Sequence, residues 1–219
     1  MVTLGRSARR EHLLVPPEEL AARGIELHEV ARGGDVTYHG PGQLVGYLIV
    51  DLAARGTPDV GAFLRRIEAV LIGALAELGV EGYVRPGWTG VFAAGPLPPR
   101  QPDRLEYPAS AASGGARSEA KPSEVDRRPR KIASIGIGLR GWVTWHGFAL
   151  NVTTDLSYFD LIVPCGIQGV VMTSLQQELK ERAPRDLWGR ALDAVIAGFA
   201  ETFQQTPQMM TLDEIEAVA

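Results

Sequence analysis

A long amphipathic helix is the feature of this sequence that most restricts its fold. Between residues 60 and 78, apolar side chains recur at every third or fourth position, which is the pattern of a helix with one buried face. Thr57 and Pro58 precede this segment and Gly79 follows it, as is usual at helix ends. A helix of this kind needs a flat apolar surface to pack against, and a β-sheet is the simplest one.

Runs of alternating or continuous apolar residues predict the strands of such a sheet. We predict strands at residues 25–30, 43–52, 80–84, 89–93, 131–139 and 142–152. The continuous run at 43–52 indicates a buried strand. Further helices are predicted at 17–23 and 186–203, and a last short one from the capping-box pattern at 211–214. Strands mixed with a few separated helices indicate an α+β fold (mixed α/β) rather than a regular βαβ alternation.

Residues 95–130 interrupt this pattern. They are rich in proline, in small residues and in charges of both signs, and they show neither helical nor strand periodicity. We predict that they form a disordered or extended surface insertion between two strands. The rest of the 219 residues is expected to form one domain.

Charge and cysteine content exclude several classes of function. The formal net charge is −4, whereas nucleic-acid-binding proteins usually carry a strongly basic face. A single cysteine forms no intramolecular disulfide and no cysteine-based metal site. The apolar runs are shorter than a membrane helix requires, and no secretory signal is visible. We therefore expect a cytoplasmic protein that binds neither nucleic acid nor membranes.

A glycine-rich stretch, RGGDVTYHGPGQ, occupies residues 32–43. Its glycines and proline favour tight turns that expose the backbone. It is either a simple connection with a structural histidine, or a pocket wall on which Arg32, Tyr38 and His39 fix the polar end of a ligand. It matches neither common nucleotide phosphate loop, so no nucleotide site is predicted from it.

The single cysteine, Cys165, lies between Pro164 and Gly166. A lone cysteine is more often a small buried apolar residue than a nucleophile. The flanking proline and glycine favour a rigid bend, which would present the thiol rather than bury it in a strand. Both interpretations remain open at this point.

A nucleophilic cysteine needs a cation or a base beside it, and Lys131, His39 and His146 are the candidates. Lys131 begins an apolar strand in which it alternates with residues 133, 135 and 137, so we expect it to point inward with them. Desolvation of such a lysine disfavours its ammonium form, which suits a base. The alternative is that Lys131 extends to solvent at the strand end.

Four motifs, in one order, closely resemble the octanoyltransferases of protein lipoylation. They are RGGDVTYHGPGQLVGY at 32–47, KIASIG at 131–136, HGFALNV at 146–152 and PCGI at 164–167. The resemblance extends over about residues 2–203, apart from the insertion. It implies a central mixed β-sheet flanked by helices, as in the catalytic domains of biotin- and lipoate-protein ligases. It also implies an enzyme that transfers an octanoyl group from acyl carrier protein to a lysine of a lipoyl domain.

The same resemblance implies roles for individual residues and partners. Cys165 would be the nucleophile that forms an acyl thioester, and Lys131 would be its acid–base partner. The substrate site would be lined by Arg32, Gly33, Gly34, Asp35, Val36, Thr37, Tyr38, His39, Ser134, Ile135, Gly136, Gly147, Phe148 and Ala149. The acceptors would be the lipoyl domains of 2-oxoacid dehydrogenase E2 subunits and the glycine cleavage H protein. No cofactor or metal is implied, because a thioester donor is already activated.

Some implications stay open. Ile135, Ile137 and Phe148 either bound an acyl tunnel or belong to the ordinary core. The sequence begins where family members usually have several dozen preceding residues, and the insertion lengthens a normally short hairpin. An inactive acyl-binding remnant is therefore one alternative. An ATP-dependent lipoate ligase is another, disfavoured because such enzymes need an adenylate-binding loop and do not need Cys165.

Overall fold

The computed structural model of the chain describes residues 1–95, 128–211 and 213–214. The predicted insertion at 95–130 therefore lies almost wholly outside the described residues. The capping box predicted at 211–214 is confirmed, since Thr211 N donates to Glu214 Oε2 at 2.7 Å and Glu214 N donates to Thr211 Oγ1 at 3.3 Å. The strands are β1 (Val2–Leu4), β2 (Leu27–Glu29), β3 (Val36–Tyr38), β4 (Gln43–Tyr47), β5 (Gly82–Arg85), β6 (Trp88–Ala93), β7 (Arg130–Arg140), β8 (Val143–Asn151) and β9 (Val171–Met172). The helices are α1 (Pro17–Ala22), α2 (Val60–Glu77), α3 (Leu175–Leu179) and α4 (Leu187–Phe203).

The described strands form two mixed sheets. In the smaller one, β1 lies between β2, which runs parallel to it, and β3, which runs antiparallel. The larger sheet has the antiparallel order β4-β8-β7-β6-β5, and β9 adds to β7 in parallel. Mixed sheets with helices beside them confirm the predicted α+β fold.

Helices α2 and α4 cover one face of the larger sheet. Phe63, Ile67 and Leu71 of α2 are at most 2% exposed, and they share the main core with apolar residues of α4 and of strands β6 to β8. The helix predicted at 60–78 is confirmed, although Asp59, rather than Thr57, caps its start by accepting a hydrogen bond from the N–H of residue 62. No helix among the described residues is long and apolar enough to cross a membrane.

Strand β4 is shorter and more exposed than its sequence predicts. It ends at Tyr47, and Val45, Tyr47 and Ile49 are 43%, 70% and 76% exposed. The prediction of a strand buried over 43–52 is wrong because β4 lies at the edge of the sheet. Only one of its faces packs against the helix-covered core, through Leu44, Leu48 and residue 50.

A smaller core lies beneath the three-stranded sheet. Val2, Val36 and Tyr38 join residues 159, 161 and 162 in this second apolar cluster, and the Tyr38 ring stacks on Tyr158 at 4.8 Å between centroids. This cluster carries the glycine-rich stretch on one side and the chain leading to Cys165 on the other. The two segments are thereby brought next to the middle of the larger sheet.

Arg130 fixes the start of β7. Its guanidinium donates to Glu178 Oε1 at 2.9 Å, to the carbonyl of Ala94 at 2.6 Å and to the carbonyl of Gly95. The Arg130 residue is 2% exposed, so this is a buried ion pair with its remaining donors satisfied. One side chain therefore ties the end of β6 to the start of β7 and to α3.

Candidate active site

Cys165 lies at the tip of a tight turn, between Pro164 and Gly166. Its backbone is left-handed, with φ +55° and ψ +20°, a conformation that non-glycine residues seldom adopt. Gly166 is also left-handed, with φ +66°, and the thiol-bearing residue is partly exposed. The predicted bend is confirmed, and it presents the thiol rather than burying it in a strand. Strained backbone of this kind clusters at functional sites.

Lys131 is in direct contact with the thiol. Its Nζ lies 3.3 Å from Cys165 Sγ and donates a hydrogen bond of 2.9 Å to the carbonyl of Thr89. The lysine is 1% exposed, so it does not extend to solvent at the strand end. Ser134 Oγ also lies 3.7 Å from the sulfur. An amine and a hydroxyl from one strand thus meet the thiol of the turn.

A β-bulge gives Lys131 this position. Val91 pairs with Ala133 but Phe92 pairs with Lys131, so β7 carries one extra residue opposite β6, a change that redirects a side chain. Lys131 therefore shares the face of Ser134, whereas Ala133 belongs to the helix-covered core. The expectation that Lys131 points the same way as residues 133, 135 and 137 is wrong for this reason.

The start of the glycine-rich stretch packs directly on β7. Gly33 N donates to the carbonyl of Ile137 at 3.1 Å, and a Cβ on Gly136 would lie 2.9 Å from the carbonyl of Gly33. Arg32 is 9% exposed and its Nη2 donates to the carbonyl of Thr3 at 2.9 Å. Burial lowers the pKa of the Arg32 guanidinium, and the nearby groups of residues 35 and 165 oppose that shift. The pair Arg32–Gly33 therefore forms a wall beside the thiol.

The rest of the stretch serves the smaller sheet. Val36, Thr37 and Tyr38 form β3 and are all buried, and burial raises the pKa of Tyr38 to about 12. His39 Nδ1 is 3.0 Å from Gln43 Oε1, and burial lowers the pKa of its ring. Among the described residues, none of these four makes a hydrogen bond with Cys165 or Lys131, and neither do Gly33 and Gly34.

The predicted residues of β7 and β8 fall on both faces of the sheet. Ser134 pairs with Ala149, and Gly136 pairs with Gly147, so small residues lie on the face that Cys165 occupies. Ile135 and Phe148 pair with each other, and they project into the helix-side core. Phe148 stacks on the ring of residue 199 at 5.6 Å. The Phe148 side chain belongs to the core and that of Ile135 packs against it, since alternate residues of a strand face opposite sides. A place for these two residues in the substrate site stays a prediction.

His146 does not reach the thiol. Its backbone is left-handed, with φ +59°, and its ring packs edge-on against Tyr47 and near Trp145. Burial, followed by the positive charge of Arg32, lowers the pKa of its imidazole. Of the three candidate partners, Lys131 alone is placed at Cys165 within the described part of the chain.

A histidine that sequence reasoning missed supports the cysteine turn. His12 Nδ1 donates to Asp35 Oδ2 at 2.7 Å, and both side chains are nearly buried. A Cβ on Gly166 would lie 2.6 Å from Asp35 Oδ2 and 2.9 Å from His12 Cε1. The carbonyl of His12 also accepts a hydrogen bond from Val163 N at 2.7 Å. The pair thus forms the surface on which the turn rests. Asp35 was visible in a motif, but no local pattern marks His12.

This arrangement suits nucleophilic catalysis by a thiol. A thiol needs a cation or a base beside it to act as a nucleophile, and the Lys131 amine, 3.3 Å from Sγ, occupies that position. Small residues of β7 and β8 lie on the same face of the sheet as the thiol. Within residues 1–95 and 128–211, no cluster of histidine, cysteine or carboxylate side chains has the geometry of a metal site.

Comparison with known structures defines the class of protein. A bipartite lipoate-protein ligase from Thermoplasma acidophilum superposes with a TM-score of 0.61 at 18% identity, covering 98% of this chain and 72% of that one. A lipoate-protein ligase A bound with ATP superposes with a TM-score of 0.58 at 18% identity, covering 98% of this chain and 74% of that one. The fold is that of the lipoate-protein ligases, as the motifs predicted.

Sequence comparison then gives the family. Residues 1–197 match the lipoyl protein ligase A/B catalytic domain, and the chain belongs to that family. An octanoyltransferase of Acidobacterium capsulatum is 44% identical over 185 residues, which are 82% of this chain and 64% of that protein. An octanoyltransferase of Koribacter versatilis is 43% identical over 181 residues, 82% of this chain and 59% of that protein. The chain thus spans less than two thirds of the length of these relatives.

Proposed function

We propose that this protein is an octanoyltransferase that moves an octanoyl group from acyl carrier protein to a lysine of a lipoyl domain. The observation that carries the proposal is the contact of 3.3 Å between Lys131 Nζ and Cys165 Sγ. The names of its relatives give the acyl group. Cytoplasmic location belongs to the same proposal, as do the acceptors: lipoyl domains of 2-oxoacid dehydrogenase E2 subunits and the glycine cleavage H protein.

The proposed reaction has two balanced steps. In the first, Lys131 takes the proton of the Cys165 thiol, and the thiolate attacks the thioester carbonyl of the donor. The bond to the carrier sulfur breaks, and that sulfur leaves as a thiol with the proton returned by Lys131. In the second step, the acceptor amine attacks the acyl-Cys165 carbonyl and the C–S bond breaks as the amide forms. Lys131 accepts a proton from the amine and passes it to the leaving sulfur, which regenerates the Cys165 thiol. No ATP is consumed, because the first step exchanges one thioester for another and the second converts a thioester into a more stable amide.

The face of β7 and β8 that Cys165 occupies is the proposed acyl site. Ser134, Gly136, Gly147 and Ala149 lie on this face, and their small or absent side chains favour the approach of a linear hydrocarbon to Sγ. The wall formed by Arg32 and Gly33 closes one side of this space. The side chains of Ile135 and Phe148 pack on the core side of the sheet. The side chains that we propose to line the acyl site on these strands are therefore those of the small residues.

An arginine-rich segment beside the turn is the proposed docking surface for the acidic carrier. Residues 5–7 run along the glycine-rich stretch, with Arg6 N donating to the carbonyl of Arg32 at 3.0 Å. Arg6, Arg9 and Arg10 are exposed there, although Glu11 lies 3.6 Å from Arg9. Arg32 is buried and is not part of this proposed surface. Complementary charge mainly speeds encounter, so the effect of this segment is expected in the donor step and to weaken with salt.

Intact-mass measurement tests the proposal directly. The purified chain is mixed with octanoyl-acyl carrier protein and then with an unmodified lipoyl domain. We expect a mass increase of one octanoyl group on the enzyme, followed by its transfer to the acceptor. Cys165→Ala removes both, and Lys131→Met leaves a folded protein that is nearly inactive. Modification of the acceptor by Cys165→Ala at the wild-type rate refutes the thioester route.

Two further measurements distinguish the proposed transferase from an ATP-dependent ligase and from an inactive remnant. Labelling of the lipoyl domain with free octanoate only when ATP is present supports an ATP-dependent ligase, the activity suggested by the ATP-bound structural neighbour. Binding of the octanoyl carrier without a covalent adduct on Cys165 supports an inactive remnant. Either result contradicts the proposed transferase.

A further inference from the structure

A buried carboxylate on helix α2 is not explained by the reaction. Glu68 lies on the apolar face of α2, and its residue is 1% exposed between the buried positions Ile67 and Val70. A carboxylate buried without partners is strongly destabilising. Its partners therefore indicate why it is there.

Glu68 makes two contacts, one in the core and one toward solvent. Its Oε1 accepts a hydrogen bond of 3.0 Å from Gly90 N in strand β6. Its Oε2 lies 2.6 Å from Arg65 Nη1, and the Arg65 side chain is 54% exposed. The hydrogen bond to Gly90 N explains the position of Glu68, because it joins helix α2 to strand β6 of the sheet.

The peptide group that Glu68 binds is the one that holds the lysine. The carbonyl of Thr89 and the N–H of Gly90 belong to the same peptide unit, and Lys131 Nζ donates to that carbonyl at 2.9 Å. A trans peptide directs its N–H and its C=O to opposite sides. Glu68 therefore accepts a hydrogen bond from the N–H of this peptide while Lys131 donates one to its carbonyl. Because the partner of the N–H is charged, the carbonyl becomes a stronger hydrogen-bond acceptor.

Gly90 makes this connection sterically possible. Its backbone has φ +119°, a region that L-residues with a side chain avoid. A Cβ at this position would lie 2.8 Å from Lys131 Cε and 3.2 Å from Lys131 Nζ. The lysine stem thus occupies the space that a side chain on residue 90 would fill, and the Thr89–Gly90 peptide fixes where its amine ends.

We propose that Glu68 is a positioning residue for Lys131, acting through the Thr89–Gly90 peptide to hold the amine against Cys165. This inference rests on the proposed function, because the contact between Lys131 and Cys165 matters for catalysis only if that function holds. The test of the inference does not depend on it. The carboxylate acts from the helix side of the sheet and touches neither substrate nor thiol. Glu68 fixes the hydrogen bond from Lys131 Nζ to the Thr89 carbonyl. With that bond fixed, another hydrogen of the amine, or its lone pair, points toward Sγ.

The test measures alkylation of the thiol by iodoacetamide. Because the chain has one cysteine, the rate reports the Lys131–Cys165 contact whether or not octanoyl transfer occurs. Glu68→Met removes the acceptor for Gly90 N, and Glu68→Gln keeps it. We expect Glu68→Met to slow alkylation at neutral pH by about tenfold to a hundredfold, the effect of misplacing a reacting group by about 1 Å. Glu68→Gln stays within about threefold of wild type, because a neutral acceptor retains the bond.

A double-mutant cycle distinguishes positioning from general loss of structure. In a Lys131→Met background, Glu68→Met causes no further slowing if it acts through the lysine. The same factor of slowing in both backgrounds overturns the proposal, and so does wild-type alkylation by Glu68→Met. Arg65→Gln is the matched control, since it removes the solvent-side partner and leaves the Gly90 contact intact. It is expected to leave alkylation unchanged.

Octanoyl transfer supplies the remaining readout. We expect Glu68→Met to lower kcat without changing KM for the carrier, because the docking surface is untouched. If Glu68→Met does not fold, Glu68→Asp replaces it, since its shorter side chain keeps the charge but withdraws it from Gly90 N. Absence of transfer by wild type, with alkylation still dependent on Lys131 and Glu68, rejects the proposed function while supporting this inference.

Discussion

Gly166→Ala tests the contact between the cysteine turn and the pair formed by His12 and Asp35. An alanine at φ +66° costs about 1–2 kcal/mol from its left-handed backbone alone. Its Cβ would also lie 2.6 Å from Asp35 Oδ2, well inside van der Waals contact. Both side chains are nearly buried, so neither can swing into solvent without breaking the bond of 2.7 Å between them. Loss of such a charge-assisted bond costs about a further 1.5–3 kcal/mol.

Gly169→Ala in the same segment is the matched control. Its φ is +74°, but no atom lies within 4 Å of the added Cβ, so it carries the backbone cost without the collision. For a chain of this size each kcal/mol lowers Tm by about 2–4 °C. We therefore expect Gly166→Ala to melt about 3–12 °C below Gly169→Ala, measured by thermal unfolding. We also expect slower alkylation of Cys165 in Gly166→Ala alone, because the collision displaces the turn. Equal melting temperatures and equal alkylation rates refute the contact.

Three further predictions concern buried charges. Lys131→Met preserves buried volume, so we expect Tm to change little while octanoyl transfer measured by mass falls about 10²–10⁴-fold; a variant retaining a tenth of the activity contradicts its role. Burial lowers the pKa of His39, so the unfolded chain binds a proton at higher pH than the folded one. Stability is then fully present above about pH 6.5 and declines as pH falls below it. We expect the urea midpoints at pH 8 and pH 5.5 to differ less in His39→Gln than in wild type. A difference as large as that of wild type refutes the contribution of His39. Arg130→Met leaves Glu178 buried without its partner and costs about 3–5 kcal/mol by urea unfolding. Adding Glu178→Leu is expected to restore much of that loss, and no recovery argues against an ion-pair effect.

Features set by local pattern were predictable from the sequence. Helix α2 follows from the spacing of its apolar residues, and the bend at Cys165 follows from a proline and a glycine on either side. The exposure of β4 was not predictable, because Tyr47 lies on a solvent face only by virtue of the strand's place at the sheet edge. Order within a sheet is decided by partners far away in the chain, which apolar runs do not encode.

The candidate site shows the same division. Cys165 and Lys131 were found through motifs, and the geometry brings them together. The direction of Lys131 was predicted wrongly, because the bulge depends on register with β6 rather than on alternation within β7. His12 was missed because its partner, Asp35, is brought to it only by pairing of β1 with β3. No local pattern marks Glu68, because its partner, the peptide between Thr89 and Gly90, lies in strand β6 rather than in helix α2.

The hydrogen bonds of Arg130 affect how this chain tolerates insertions between β6 and β7. Arg130 holds the carbonyls of residues 94 and 95, and it directly precedes Lys131 in the chain. Whatever length of chain departs after residue 95 must return through this anchored point. Doubling a flexible loop adds only about 0.6 kcal/mol to its closure, and the anchor stops a change of loop length from shifting the strand register. The Arg130 anchor therefore separates Lys131 from changes in the preceding segment. We expect that new sequence added between residues 95 and 130, such as a fluorescent or affinity tag, leaves the register of β7 unchanged.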